Sequence, residues 1–141
     1  MRILGIDFGT KTIGLAVSDE LGMLGHGAGT IRRRSLKQDL AELEQKIKQY
    51  NIQKIIIGLP LNMDGSLGAA AQRVLAFAES IRKQCKLPVE TWDERLSTVE
   101  AQNILFESNM SRKKRKKIID TVAASIILQG YLDFIKQQRT P

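Results

Sequence analysis

The sequence predicts an α/β fold: a mixed sheet whose central strands are covered on both faces by helices. Three observations carry this. Ile3, Leu4 and Ile6 crowd one short stretch, and Ile55-Ile56-Ile57 fill three consecutive places in another. Strands in the middle of a sheet, apolar on both sides, read as such runs. Between the two lies an amphipathic segment of helical period, so strand, helix and strand make a right-handed crossover.

The first strand runs from Arg2 and meets Asp7 near its end. A carboxylate there lacks water, which costs on the order of several kcal/mol unless a cation or several donors meet it. Gly9-Thr10 turns the chain, and Ile13-Gly14-Leu15-Ala16-Val17 returns as the second strand of a hairpin. The stretch from Asp19 to Gly29, punctuated by Gly22, Gly25, Gly27 and Gly29, reads as a turn and a third, antiparallel strand reaching Ile31. His26 lies there as a surface or packing residue. Arg32-Arg33-Arg34 closes the strand with positive charge.

Ser35 opens the first helix. Ser35-Leu36-Lys37-Gln38 has capping-box spacing, in which the Ser hydroxyl and the Gln side chain each satisfy an orphan N–H. Leu36, Leu40, Leu43 and Ile47 supply its apolar stripe. The fourth strand spans Ile52 to Gly58. Leu59-Pro60-Leu61-Asn62-Met63-Asp64-Gly65-Ser66 then leaves the carboxyl end of a parallel strand, the edge at which open α/β sheets bind ligands. A helix from Gly68 to Gln84 turns Ala70, Val74, Phe77, Ala78 and Ile81 inward. Leu87 to Trp92 is the fifth strand, with Trp92 in the core, and it ends at Asp93-Glu94-Arg95.

Ser97-Thr98-Val99-Glu100 repeats the capping-box pattern and starts a helix to Glu107. The last helix is expected from Ile118 to Lys136. Its inward stripe is Ile119, Val122, Ala123, Ile126, Ile127, Gly130, Tyr131 and Phe134, and Asp120 stands about 60° from the middle of it. Asp120 then falls in the first helical turn, where the dipole favours a carboxylate. With no repeat and no linker, residues 1–141 read as one domain.

Bulk properties narrow the function. A net charge of +7 implies affinity for polyanions. Cys85 is alone, so neither an internal disulfide nor a cysteine-rich zinc site can form. No apolar run approaches the ~18 residues of a membrane span, and no leader pattern is visible, so the expected location is the cytoplasm.

Asp7, Asp93, Glu94 and Asp120 are the candidate catalytic residues. The first strand and the fifth, if parallel, open on the same sheet edge. Carboxylates gathered there repel one another unless a divalent cation joins them, and Mg²⁺ suits carboxylates plus substrate phosphate. Two such ions can activate water and stabilise a leaving oxygen in phosphodiester cleavage. Simpler roles exist for each: Asp7 capping the turn, Asp93 pairing with Arg95, Asp120 offsetting neighbouring lysines. Lys11, Arg95 and the run Arg112, Lys113, Lys114, Arg115, Lys116 and Lys117 would hold phosphates, with Arg2 and Arg32 to Arg34 extending the basic surface. Such contacts are salt-dependent and sequence-tolerant.

The motifs Asp7-Phe8-Gly9-Thr10-Lys11, Gly58-Leu59-Pro60-Leu61-Asn62-Met63-Asp64-Gly65, Asp93-Glu94-Arg95-Leu96-Ser97-Thr98 and Asp120 with Ala123-Ala124 resemble the YqgF family, also called RuvX. These are the Holliday-junction-resolvase-like nucleases of bacteria. The resemblance implies an RNase H-like fold, with a five-stranded mixed sheet in order 3-2-1-4-5 and helices on both faces. It implies a metal-dependent nuclease that processes the 5′ end of pre-16S rRNA, using Mg²⁺ or Mn²⁺, two ions with substrate bound. The ligands would be Asp7, Asp120 and either Asp93 or Glu94, with Glu94 the first choice. Thr12 stands where many members have arginine. The related RuvC resolvases place a glutamate at the end of the strand after the first crossover helix, where this chain reads Gly58-Leu59. A neighbouring strand would then have to supply that ligand.

Three other functions fit parts of the pattern: a resolvase of branched DNA, a non-catalytic RNA-binding protein, and an ATP-binding module suggested by Asp7-Phe8-Gly9-Thr10. The expected partner is nucleic acid, RNA before branched DNA, with no membrane, and the chain is expected to be a monomer or weak dimer.

Overall fold

A computed structural model describes the backbone of residues 1–96 and 112–139, and the side chains of 1–95 and 121–138. The elements are β1 (Arg2–Phe8), β2 (Thr12–Ser18), β3 (Gly25–Arg32), α1 (Leu36–Tyr50), β4 (Ile52–Leu59), α2 (Ala69–Cys85), β5 (Val89–Asp93), a short 3₁₀ helix (Glu94–Leu96) and α3 (Arg112–Arg139). The helix expected from Ser97 to Glu107 lies outside the described residues.

The five strands form one sheet in the order β3-β2-β1-β4-β5. β1 runs antiparallel to β2 and parallel to β4, and β4 runs parallel to β5. The double-sided apolar pattern of β1 and β4 is explained by two separate cores. Leu4, Ile6, Ile55 and Ile57 join Leu40, Leu43, Val74, Phe77 and Ile81 on the face that α1 and α2 cover. Ile3, Ala16 and Ile56 join Ala124, Ile127, Leu128, Tyr131 and Leu132 on the face that α3 covers. Alternation along a strand therefore assigns each residue to one helix layer or the other.

Local signals hold with adjustments. Ser35 caps α1 by accepting from the Gln38 N–H at 3.1 Å. The other half of the expected box does not form, because the Gln38 amide oxygen accepts from the Ser35 hydroxyl instead, at 3.2 Å. Leu36, at the exposed first turn, stays 54% exposed, while Asp39 is buried. That carboxylate is satisfied by the Arg34 N–H at 3.0 Å and approached by Arg33 at 4.0 Å. On α2 the inward residue is Ala71 rather than Ala70.

The larger correction concerns α3. It begins at Arg112, six residues before the expected start, so the basic run is helical and Asp120 lies in the third turn. The dipole argument for Asp120 lapses, since that effect fades beyond the first turn. Its buried stripe is also rotated, centred on Ala124, Leu128 and Tyr131, and Phe134 is 44% exposed. The cause sits on the sheet. A Cβ on Gly5 would lie 2.8 Å from Leu128 Cβ and 3.1 Å from the Ala124 carbonyl oxygen. The bare backbone of β1 lets α3 approach on that side, and Gln129 fixes the contact by accepting from Gly25 N–H at 2.9 Å. Among the described residues no helix is long and apolar enough to cross a membrane.

Candidate active site

Asp7 is the penultimate residue of β1, paired with Gly14 of β2, and is partly buried. Strand alternation puts it on the face of Ile3 and Gly5, the face under α3. The turn that follows is closed by its own backbone, Gly9 N–H donating to Thr12 O at 2.9 Å. Lys11 is exposed at this turn.

Asp93 and Glu94 are adjacent in sequence but engaged differently. Val89 belongs to the core under α1 and α2, and Trp92 packs against the core under α3. By the same alternation Asp93 falls on the side of Val89, away from the face of Asp7. Arg95 grips it there: Nε lies 3.0 and 3.1 Å from the two carboxylate oxygens, Nη2 lies 2.7 Å from Oδ2, and the Arg95 N–H donates to Oδ1 at 3.0 Å. The Arg95 guanidinium hydrogen bonds hold the Asp93 carboxyl below the usual carboxylate range and raise the arginine in turn. Arg95 also reaches the carbonyl oxygens of Asn62 and Met63 at 3.4 and 3.3 Å.

That loop is ordered from within. Asn62 N–H donates to Ser66 O, and the Ser66 hydroxyl and N–H both donate to Asp64 Oδ1, at 2.6 and 2.9 Å. The Ser66 hydroxyl is the main reason the Asp64 pKa lies low.

Glu94 turns the other way. A Cβ placed on Gly58 would meet Glu94 Oε1 and Cγ at 3.0 Å, and Ile127 Cδ1 of α3 at 2.6 Å. Ile6 pairs with Ile57, so Gly58 stands on β4 beside Asp7 of β1. The Glu94 carboxylate thus lies over the strand position next to Asp7, about one strand spacing of 4.8 Å away along the sheet. Asp7 and Glu94 are the two predicted carboxylates that the sheet edge brings to one neighbourhood.

For Asp120 the backbone alone is described. It lies one helical turn before Ala124, and Ala124 faces Gly5, two residues before Asp7. Ile3 shares a cluster with Tyr131, so α3 runs opposite to β1 along this face. One helical turn is about 5.4 Å and two strand residues about 6.7 Å, so moving from Gly5 to Asp7 matches moving from Ala124 to Asp120. Among the described residues no three His, Cys, Asp or Glu side chains gather closely enough to hold a metal ion. The donors of Asp7, Glu94 and Asp120 are all carboxylate oxygens, a set that fits a hard cation such as Mg²⁺ or Mn²⁺.

Two arginines stand beside this edge, and only one of them carries a signal in the sequence. Arg33 and Arg73 line a cleft of 190 Å³ with Phe8, Gly9 and Thr10, and Glu94 is part of the same wall. Arg33 reads from sequence as one member of a basic triplet. Arg73 carries no local signal, because only the packing of α2 against β1 brings it to the edge.

Comparison with known proteins agrees with this architecture. The family model RuvX, Holliday junction resolvase, matches residues 1–134. A Desulforamulus reducens protein named "Putative pre-16S rRNA nuclease" is 50% identical over 133 residues, covering 94% of this chain and 97% of its own. One of the same name from Moorella thermoacetica is 51% identical, covering 97% and 98%. Among solved structures, T. thermophilus RuvC in complex with a Holliday junction substrate matches at a TM-score of 0.61 and 13% identity, covering 99% of this chain and 97% of that one. The last shows a shared RNase H-like fold. The match across nearly the whole length, together with half-identical relatives, establishes that the chain belongs to the RuvX family.

Proposed function

We propose that this protein is a metal-dependent nuclease that hydrolyses phosphodiester bonds in precursor 16S rRNA. The observation that carries the reading is the Glu94 carboxylate lying over Gly58, beside Asp7. It meets the difficulty left by the missing glutamate at the end of β4: the carboxylate comes from the 3₁₀ helix after β5 and reaches across. Asp7, Glu94 and Asp120 would hold a divalent cation. When bound, that ion supplies water activation and charge stabilisation at the phosphate. The chain's own contribution is to fix one carboxylate at the end of β1 and one in the 3₁₀ helix after β5, on one face of the sheet, and to bring a third on α3. Asp93 then has a supporting role, holding Arg95 and through it the loop after β4.

RNA is preferred as substrate because the relatives at about half identity carry that name. The likeness to a junction-bound resolvase is one of fold. A cleavage assay tests the reading: the pure protein is given a 16S rRNA precursor, a single-stranded DNA and a four-way DNA junction, each with Mg²⁺, with Mn²⁺ and with chelator. Cutting of the RNA precursor, dependent on metal and lost in Asp7→Asn, is expected. Cutting that persists in chelator or in Asp7→Asn would remove the proposed site, and preference for the junction would change the substrate.

A further inference from the structure

The side of the sheet edge away from α3 carries a feature that the carboxylates do not explain. Arg33 is held in place three ways. Its Nη1 donates to Gly9 O at 2.8 Å and approaches Thr10 O at 3.3 Å, its guanidinium lies 4.2 Å over the Phe8 ring, and its Nε is 4.0 Å from the buried Asp39. Its Nη2 makes no hydrogen bond among the described residues. Across the cleft, Arg73 is exposed and makes no ion pair among the described residues. A second hollow of 270 Å³ continues past Phe8 along α2, lined again by Arg33 and Arg73 and reaching Ser80. From Ala70 to Ser80 this is ~15 Å of helix.

We propose that this channel is a phosphate subsite that guides single-stranded nucleic acid to the sheet edge, on the face opposite α3. A guanidinium already fixed by its neighbours loses little freedom on binding and presents an open N–H to a phosphate oxygen. The Phe8 ring cannot serve as a base platform, because Phe77 stacks on it at 4.2 Å and Arg33 covers it as well. The subsite therefore reads charge and not sequence. The proposal rests on the nuclease reading for its purpose, but binding can be read without turnover.

The test measures affinity of the full chain for short single-stranded RNAs, homopolymeric and mixed, in chelator and across a range of salt. Arg73→Ala is expected to weaken every sequence alike and to flatten the slope of log K against log salt by about 0.7, the share of one phosphate contact on a single strand. Lys83→Ala, also exposed on α2 but outside the channel, is expected to leave the slope unchanged. An unchanged slope in Arg73→Ala, an equal loss in Lys83→Ala, or a mononucleotide binding as tightly as the strand would each overturn the subsite. Tight, Arg73-dependent binding without metal-dependent cleavage would sink the nuclease reading and leave the subsite standing. Metal-dependent cleavage with no Arg73 effect would do the reverse.

Discussion

The Glu94 carboxylate lies where the side chain of residue 58 would be, 3.0 Å from a Cβ built on Gly58. The two residues belong to different segments, the end of β4 and the 3₁₀ helix after β5, and each constrains the other. Glycine leaves the space and glutamate fills it from the next strand. This pairing separates Glu94 from Asp93, its neighbour in the sequence.

Charge-neutral substitutions test that separation. Asp7→Asn and Glu94→Gln are expected to lower single-turnover cleavage at least ~100-fold, the scale of losing several kcal/mol of charge stabilisation. Asp93→Asn is expected to stay within about tenfold of the parent. Equal losses in all three would return Asp93 to the ligand set.

Gly58→Ala probes the same space from the other side. The added methyl would meet Ile127 Cδ1 at 2.6 Å and Glu94 at 3.0 Å. Ile127 must shift, at an overpacking cost of about 1–3 kcal/mol, and Glu94 must give way by a few tenths of an ångström. Cleavage is expected to fall by about 10²-fold with a modest loss of melting temperature, since small misplacements of a catalytic group have effects of that size. A variant that melts lower yet cuts at the parent rate would show that Glu94 has no need of that place.

Acid should loosen the edge before it unfolds the core. The Asp93 pKa is depressed by the Arg95 hydrogen bonds. Its pair therefore stabilises the fold above the unfolded carboxyl value of about 3.9, and that stabilisation is lost as pH falls through the lower folded value. Melting temperature is expected to drop more steeply below about pH 4 in the parent than in Asp93→Asn, which has no such group to protonate. Parallel curves for the two proteins would contradict this.

Gly5→Ala attacks the seat of α3. Its methyl would press on Leu128 Cβ and on the backbone oxygen of Ala124, neither of which swings aside easily. A destabilisation of at least about 1–3 kcal/mol is expected. Cleavage should fall more than stability alone explains, because α3 also carries Asp120. Calorimetry beside a cleavage assay at a temperature where the variant is folded separates the two effects.

Much of this architecture is legible in the sequence for identifiable reasons. Consecutive isoleucines in β1 and β4 announce two covered faces, and Ser35 announces a helix start. The misreadings also have causes. Six consecutive basic residues, Arg112 to Lys117, look like a repelling loop because a like-charge run gives no apolar stripe, yet they begin α3. The buried stripe of α3 departs from the sequence pattern because its partner surface is a bare backbone at Gly5, and a missing side chain leaves no periodic mark. Period-two counting from Val89 and Trp92 could have divided Asp93 from Glu94 beforehand. Arg73 could not have been found, since its place depends on how α2 packs against β1.

The division of the core has a temporal side. One face of the sheet is closed by α1 and α2, which lie between its own strands in the chain, so their contacts are near at hand when those strands pair. The other face, with Ile3, Ala16 and Ile56, is covered by α3, more than a hundred residues after β1. Contacts across such separations form late, and synthesis delivers the N-terminal strands first. A chain emerging from its own ribosome would carry Asp7 more than a hundred residues before the helix that bears Asp120. With Asp120 as the third ligand, a nuclease built this way would stay unarmed until α3 is made and docked.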